Sequence, residues 1–228
     1  MRNSKQLKSK VGVATVAIVD GECEQWYLNM IKRNERVNFK ITPEIPQHKS
    51  IKDQYKSVLD YLGQGYERVF WIIDFDTIIK EEREAKKGRN PMKEFLSYYC
   101  LAKADEKIVV IMNVPCLEFW YLLHYRLTNK YFDSYEKLLP DLKKFMPDYE
   151  KTSRYYTKEN DDIYLKLKPL LNNAISNASI LKEFDLENPL VGVSQMHRIF
   201  LEEIEGLKLL GDGFQVESET HSTLKKRR

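Results

Sequence analysis

Nearly continuous apolar runs alternate with amphipathic segments through the first half of the chain. Three runs rich in Val, Ile and Ala have the length of buried strands: 11–19, 68–73 and 107–112. Segment 37–45 alternates apolar and polar positions, which is typical of a half-buried strand. Apolar residues recur at helical spacing in the segments between the runs: 22–32, 51–62 and 91–101. The pattern predicts strands and helices in alternation.

Such alternation is typical of a Rossmann-like α/β fold, with a mostly parallel sheet flanked by helices. The pattern changes near residue 130. No strand-like run follows, and three segments have helical spacing: 131–147, 157–180 and 192–206. We therefore expect an α/β domain with an α-helical C-terminal extension. The predicted division is a basic N-terminal tail at 1–10, the α/β domain at 11–128, a helical region packed on it at 129–210, and a flexible, basic-ended tail at 211–228.

Two predicted strands end in acidic residues. Asp20, Glu22 and Glu24 follow the run at 11–19, and Asp74 and Asp76 follow the run at 68–73, the third predicted strand. If the third strand stays extended, the last two side chains face the same side. Taken singly, each acid also suits a turn or the start of a helix.

Parallel strands place their carboxyl ends at one edge of the sheet, which is where ligands bind in open α/β folds. Acids gathered there would not all ionise without a cation. Mg²⁺ or Mn²⁺ is the natural candidate because both prefer oxygen ligands. We predict a metal site formed by four carboxylates: Asp20, Glu24, Asp74 and Asp76.

Composition narrows the class of protein. The 37 basic and 34 acidic residues give a net charge of +3, which is too weak a bias to indicate nucleic-acid binding by itself. The three cysteines form no C-x-x-C pair, which favours reduced thiols in a bacterial cytoplasm over disulfides or a zinc site. No apolar run has the length of a membrane span, and no P-loop motif is present.

A helix is predicted after the run at 107–112, with Pro115 at its first position. Glu118 would lie in the first turn, either as an acid favoured by the helix dipole or as a further metal ligand or positioning group. His124 is either a hydrogen-bonded core residue or, if it faces the cleft, a proton donor to a leaving oxygen. Farther along the chain, Lys151 and Arg154 are either solvated charges or phosphate contacts.

Three segments together resemble the RloB-like family. They are Asp20-Gly21-Glu22-Cys23-Glu24, Asp74-Phe75-Asp76, and Asn113-Val114-Pro115-Cys116-Leu117-Glu118-Phe119-Trp120-Tyr121-Leu122-Leu123-His124. The first two also look like the Toprim domain of topoisomerases, primases and OLD-type nucleases. Segments 149–151 and 189–197 extend the resemblance over most of the chain. Asp20 stands where Toprim domains usually carry Glu.

The resemblance implies a Toprim-like domain over 11–128 and a Mg²⁺-dependent nuclease that hydrolyses phosphodiester bonds of DNA or RNA. In Toprim domains the Glu at the position of Asp20 acts as a general acid/base or metal ligand. Together with the positions weighed above, this predicts five catalytic residues: Asp20, Glu22, Glu24, Glu118 and His124. Because RloB-like proteins are found beside anti-phage genes, the resemblance also implies an effector of anti-phage defence, of the abortive-infection type, with a partner ATPase.

The alternative is a non-catalytic Toprim-like module that binds nucleic acid or a partner and works with an ATPase. A strand-joining or primase-like enzyme is a third alternative. The sequence does not specify the oligomeric state.

Overall fold

A computed structural model describes residues 13–45, 49–181 and 183–201, so the predicted tails at 1–10 and 211–228 lie outside the described residues. A five-stranded sheet forms the centre of the described structure, in the order β2-β1-β3-β4-β5. Its strands are β1 Thr15–Ile18, β2 Lys40–Thr42, β3 Arg68–Asp74, β4 Ile108–Val114 and β5 Val193–Ser194. The first four are parallel, and β5 runs antiparallel to β4. The prediction of a mostly parallel α/β sheet is confirmed.

Helices cover both faces of this sheet. In chain order they are α1 Glu22–Glu35, α2 Ile51–Gly63, α3 Phe75–Glu84, α4 Pro91–Lys103, α5 Glu118–Leu123, α6 Tyr135–Leu142, α7 Ser153–Thr157, α8 Ile163–Leu167, α9 Leu171–Ile180 and α10 Arg198–Leu201, with a 3₁₀ turn at Lys168–Leu170. Of the helices in the described ranges, none combines the length and the apolar character needed to cross a bilayer.

Side chains of β3 alternate between two hydrophobic cores, as the pleat of a strand requires. Phe70 and Ile72 join a core with α1, α5 and the C-terminal helices. Val69, Trp71 and Ile73 join a second core with α2 and α4. Burial on both faces explains why the strand is continuously apolar in sequence. The C-terminal helices thus share one core with α1.

The expectation that no strand follows residue 131 is wrong. The helix predicted across 192–206 is confirmed only in part, because α10 begins at Arg198 and residues 202–206 lie outside the described residues. Val193 and Ser194 form β5, which pairs with the end of β4. Gly192 lies so close to the Phe119 ring that an added Cβ would meet the ring carbons at 2.6 Å. A two-residue strand has no periodicity to detect, and tertiary contacts specify it.

Two local boundaries also differ from prediction. Helix α3 begins at Phe75, directly after β3, so Asp76 lies in a helical turn and not on an extended strand. The backbone N–H of Asp76 donates to the Pro115 carbonyl at 3.0 Å. Helix α5 begins at Glu118, so Pro115 does not occupy a first helical position.

Candidate active site

An acidic cavity of about 620 Å³ lies at the carboxyl edge of the parallel strands. Its acidic lining residues are Asp20, Glu22, Glu24, Asp74, Asp76 and Glu136. They come from the β1–α1 turn, the start of α1, the end of β3, the start of α3 and α6. The structure therefore brings the four predicted metal ligands to one cavity, although α3 interrupts the alternation that the sequence suggested for Asp74 and Asp76.

Glu24 is placed by the tight turn that precedes α1. Gly21 caps the helix in an extended conformation, and the Glu24 carboxylate folds back over it. A Cβ at position 21 would collide with Glu24 Oε2. The glycine of the Asp-Gly-Glu sequence therefore makes room for a buried carboxylate.

Gly21→Ala is expected to displace the Glu24 carboxylate and to weaken Mn²⁺ binding by about tenfold, a typical cost of disturbing the surroundings of a metal. The free energy of unfolding should change by less than about 1 kcal/mol, because the backbone at position 21 suits alanine. Titration calorimetry and urea denaturation measure the two quantities. Gly63→Ala is the matched control, since a Cβ there meets nothing within 4 Å. Unchanged Mn²⁺ affinity in Gly21→Ala would contradict the prediction.

Asp74 is held by donors on both carboxylate oxygens. Asn113 Nδ2 donates to its Oδ1 at 3.1 Å, and the backbone N–H of Leu117 donates to its Oδ2 at 3.2 Å. Thr77 Oγ1 donates to the Asp74 carbonyl at 2.7 Å. Glu24 and Asp74 line the same cavity, so a cation bound there would relieve the repulsion between the two carboxylates.

Burial and mutual repulsion raise the pKa values of the cavity acids. Burial is the larger cause for Asp74, whose pKa is raised further by Glu24 and Asp76. Burial likewise raises the pKa of Glu24. For Asp76, burial raises the pKa to about 6 although Lys151 acts to lower it. Near neutral pH these acids accept a positive charge readily, either a proton or a cation.

The Asp76 carboxyl should contribute less to the stability of the metal-free protein as the pH rises from about 4 to about 6. Because the pKa of Asp76 is raised from 3.8 to about 6 on folding, the folded protein binds more protons than the unfolded chain in this window. Stability from this carboxyl is complete at lower pH and is lost as Asp76 ionises beside Glu118, against the favourable charge of Lys151. Urea denaturation in EDTA at pH 4.5 and 6.5 measures the change in stability of the native chain and of Asp76→Asn. The buried His124 and His197, whose pKa values burial lowers to about 4, act in the opposite direction in both proteins, so the comparison isolates Asp76. From pH 4.5 to 6.5 the native chain should lose stability relative to Asp76→Asn, and an equal change in both proteins would count against the assignment.

Lys151 is the single basic residue that lines the described cavity. Its Nζ lies 3.1 Å from Glu118 Oε1 and 4.4 Å from the centre of the Tyr135 ring. Glu118 is fully buried, and its Oε1 also accepts from the Tyr149 hydroxyl at 2.7 Å. Burial alone would lower the pKa of Lys151, but Glu118 and other neighbours, Asp74 among them, hold it above its ordinary value. Sequence reasoning placed Lys151 among solvated charges or phosphate contacts, and missed its ion pair.

The remaining predicted catalytic residues occupy different environments. Glu22 is exposed on the cavity lining, and Asp20 is half-buried with its Oδ1 accepting from the Lys49 N–H at 3.3 Å. Glu118 reaches the cavity through its ion pair with Lys151. His124 is fully buried, its Nδ1 lies 2.9 Å from the Trp120 carbonyl, and burial lowers its pKa to about 4. It is not among the residues that line the cavity.

The donor set suits a hard cation. Among the described residues, no three His, Cys, Asp or Glu side chains are close enough to hold a metal by themselves. Mg²⁺ often uses one or two carboxylates and completes its shell with water, so the Glu24–Asp74 pair fits it. Cys23 and Cys116 also line the cavity, but burial raises the pKa of both thiols. Protonated thiols are poor ligands, which leaves the oxygen atoms as donors.

A family model described as RloB-like protein matches residues 16–200, from β1 to α10. No curated protein and no solved structure matches the chain. The matched span includes every residue that lines the acidic cavity. It also covers well over half of the 228 residues, and the chain therefore belongs to the RloB-like family.

Proposed function

We propose that this RloB-like protein is a Mg²⁺-dependent nuclease that hydrolyses phosphodiester bonds of DNA or RNA. The observation that carries the proposal is the convergence of carboxylates from separate chain segments on one cavity. Such groups repel one another, and their raised pKa values are consistent with a site that waits for a cation. The family membership supports a further proposal, an effector in bacterial anti-phage defence that acts with a partner ATPase.

Within this proposal, Glu24 and Asp74 hold the cation, with Asp76 and Asp20 beside them. When bound, Mg²⁺ polarises a phosphoryl oxygen and lowers the pKa of a water molecule. Asn113 and the Leu117 N–H orient Asp74 through their hydrogen bonds.

The other cavity residues act on the substrate. The Lys151 ammonium, held by Glu118, balances the charge of the scissile phosphodiester. Glu22, exposed on the cavity lining, accepts a proton from the attacking water.

The direct test is cleavage of labelled single-stranded DNA, duplex DNA and RNA by the purified chain. We expect cleavage of at least one substrate in Mg²⁺ or Mn²⁺ and none in EDTA. A thermal unfolding scan with each ion should show an increased melting temperature, because a ligand that binds the folded state stabilises it. Absence of both cleavage and the thermal shift would overturn the proposal.

One observation favours the alternative of a non-catalytic binding module. In the described residues the acids do not form a three-membered ligand group on their own. A module of this kind would bind nucleic acid or a partner ATPase without cleaving. Binding of nucleic acid that is equal in Mg²⁺ and in EDTA, together with no cleavage in either, would support this alternative.

A further inference from the structure

A chain of buried hydrogen bonds connects β5 to the acidic cavity. The backbone N–H of Met196 donates to Ser194 Oγ at 3.4 Å, and Ser194 Oγ donates to Asn113 Oδ1 at 2.7 Å. Asn113 Nδ2 then donates to Asp74 Oδ1 at 3.1 Å. Ser194 and Asn113 are both fully buried, so water does not compete for these bonds. Residues 81 positions apart in sequence thereby act on one carboxylate.

The hydrogen bonds of this series all run in one direction, from Met196 toward Asp74, because the groups differ in whether they donate or accept. Ser194 Oγ accepts from Met196, which leaves its single hydrogen for Asn113 Oδ1. With Oδ1 engaged, the amide can present only its NH₂ group to Asp74. A flipped amide would place its oxygen against the Asp74 carboxylate, where two acceptors repel. Ser194 thus determines which end of the Asn113 amide faces the cavity.

The Asn113 amide group fixes the position of one Asp74 oxygen. A second donor, the Leu117 N–H, lies on the other Asp74 oxygen. These two bonds fix the plane of the carboxyl group. A metal ligand needs such a fixed orientation.

We propose that Ser194 and Asn113 are positioning residues that hold the Asp74 carboxyl group in a fixed orientation as a ligand for a divalent cation. Strand β5 is then a working part of the site and not only an edge of the sheet. The inference rests on the metal centre of the proposed function and deepens it. It assigns a task to the segment 189–197, for which the proposed function has no use.

Strand β5 offers a matched control in the next residue. Gln195 is also buried and also connects to β4, since its Oε1 accepts from the Met112 N–H at 3.0 Å and its own N–H donates to the Met112 carbonyl at 2.9 Å. These bonds do not lead to Asp74. Substitution of Gln195 therefore disturbs the β4–β5 contact without breaking the series of hydrogen bonds that leads from Ser194 to Asp74.

The experiment measures Mn²⁺ binding to the full chain by titration calorimetry, with urea denaturation of each variant alongside. Asn113→Leu removes the donor to Asp74, and we expect its Mn²⁺ affinity to fall by about tenfold or more. Ser194→Ala leaves the amide free to flip, and we expect a smaller loss of about threefold or more. Gln195→Met should lose stability comparably to Ser194→Ala and bind Mn²⁺ within about twofold of the unsubstituted protein.

The outcomes separate this inference from the proposed function. Unchanged affinity in both Asn113→Leu and Ser194→Ala would overturn it, as would an equal loss in Gln195→Met, because β5 would then act through stability alone. If Asn113→Leu does not fold, the Mn²⁺ affinities of Ser194→Ala and Gln195→Met are compared with each other. The inference then requires the lower affinity in Ser194→Ala. A native chain that binds no Mn²⁺ would overturn the metal centre itself, and this role for Asp74 with it.

Discussion

Asp74→Asn is expected to reduce metal-dependent cleavage by about 100-fold or more. Without this carboxylate, the transition state loses several kcal/mol of the stabilisation that the bound metal would supply. Asparagine keeps the shape of the side chain and an oxygen that Asn113 can still contact, but it removes the charge that binds a cation. The free energy of unfolding in EDTA should change by less than about 2 kcal/mol, because removal of a buried, repelled carboxylate offsets the loss of the Leu117 N–H bond, which meets an amide nitrogen in the variant. Loss of activity together with retained stability separates a functional residue from a structural one.

Asp105→Asn is the control for this substitution. Asp105 precedes β4, at the end of the strand opposite Asn113, and its Oδ1 accepts from the Lys107 N–H at 2.9 Å. Its cleavage rate should equal that of the native chain. Steady-state rates with a fluorescent oligonucleotide, measured across Mg²⁺ concentrations, provide the comparison. Native activity in Asp74→Asn at saturating Mg²⁺ would remove Asp74 from the metal site.

Lys151→Met is expected to destabilise the protein by about 2 to 3 kcal/mol. It leaves the fully buried Glu118 carboxylate without its counterion, and breaking a buried ion pair in this way is costly. The destabilisation should be smaller than that of a fully buried ion pair, because the Lys151 side chain is 41% exposed and water screens part of the interaction. Cleavage should also fall, because the single ammonium of the described cavity lining is lost.

Glu118→Gln provides the second arm of a double-mutant cycle. The double variant Glu118→Gln/Lys151→Met should recover most of the lost stability, since no unpaired buried charge remains. The double variant should not recover cleavage, because the Lys151 ammonium is still absent from the cavity. Urea denaturation of the four proteins yields the coupling energy. A double variant as unstable as Lys151→Met alone would show that packing of the lysine stem, and not its charge, stabilises this region.

The sheet and its acids could be predicted from local pattern. Strands buried on both faces are continuously apolar, which made β3 and β4 visible in the sequence. The carboxyl ends of parallel strands meet at one edge of the sheet, which predicts that Asp20 and Asp74 lie close together. The direction of the strands in a parallel sheet is sufficient for this prediction.

The rest of the site depends on contacts between distant segments. Lys151 lies outside any helix or strand, and nothing in its immediate sequence indicates that it pairs with Glu118. Strand β5 has two residues and no periodicity. His124 follows a helix with buried residues on every side, so spacing could not reveal that the imidazole faces the core. Interactions of this kind leave no period in the sequence to detect.

The late position of Ser194 has a consequence for synthesis on the ribosome. Asn113 leaves the ribosome 81 residues before Ser194 does, an interval of about 4 to 16 s at ordinary translation rates. Throughout this interval the Asn113 amide lacks the Ser194 hydroxyl that determines which of its ends faces Asp74. If Ser194 positions Asp74 as we propose, a nascent chain with an unfinished β5 should bind a divalent cation more weakly than a chain that has completed this strand.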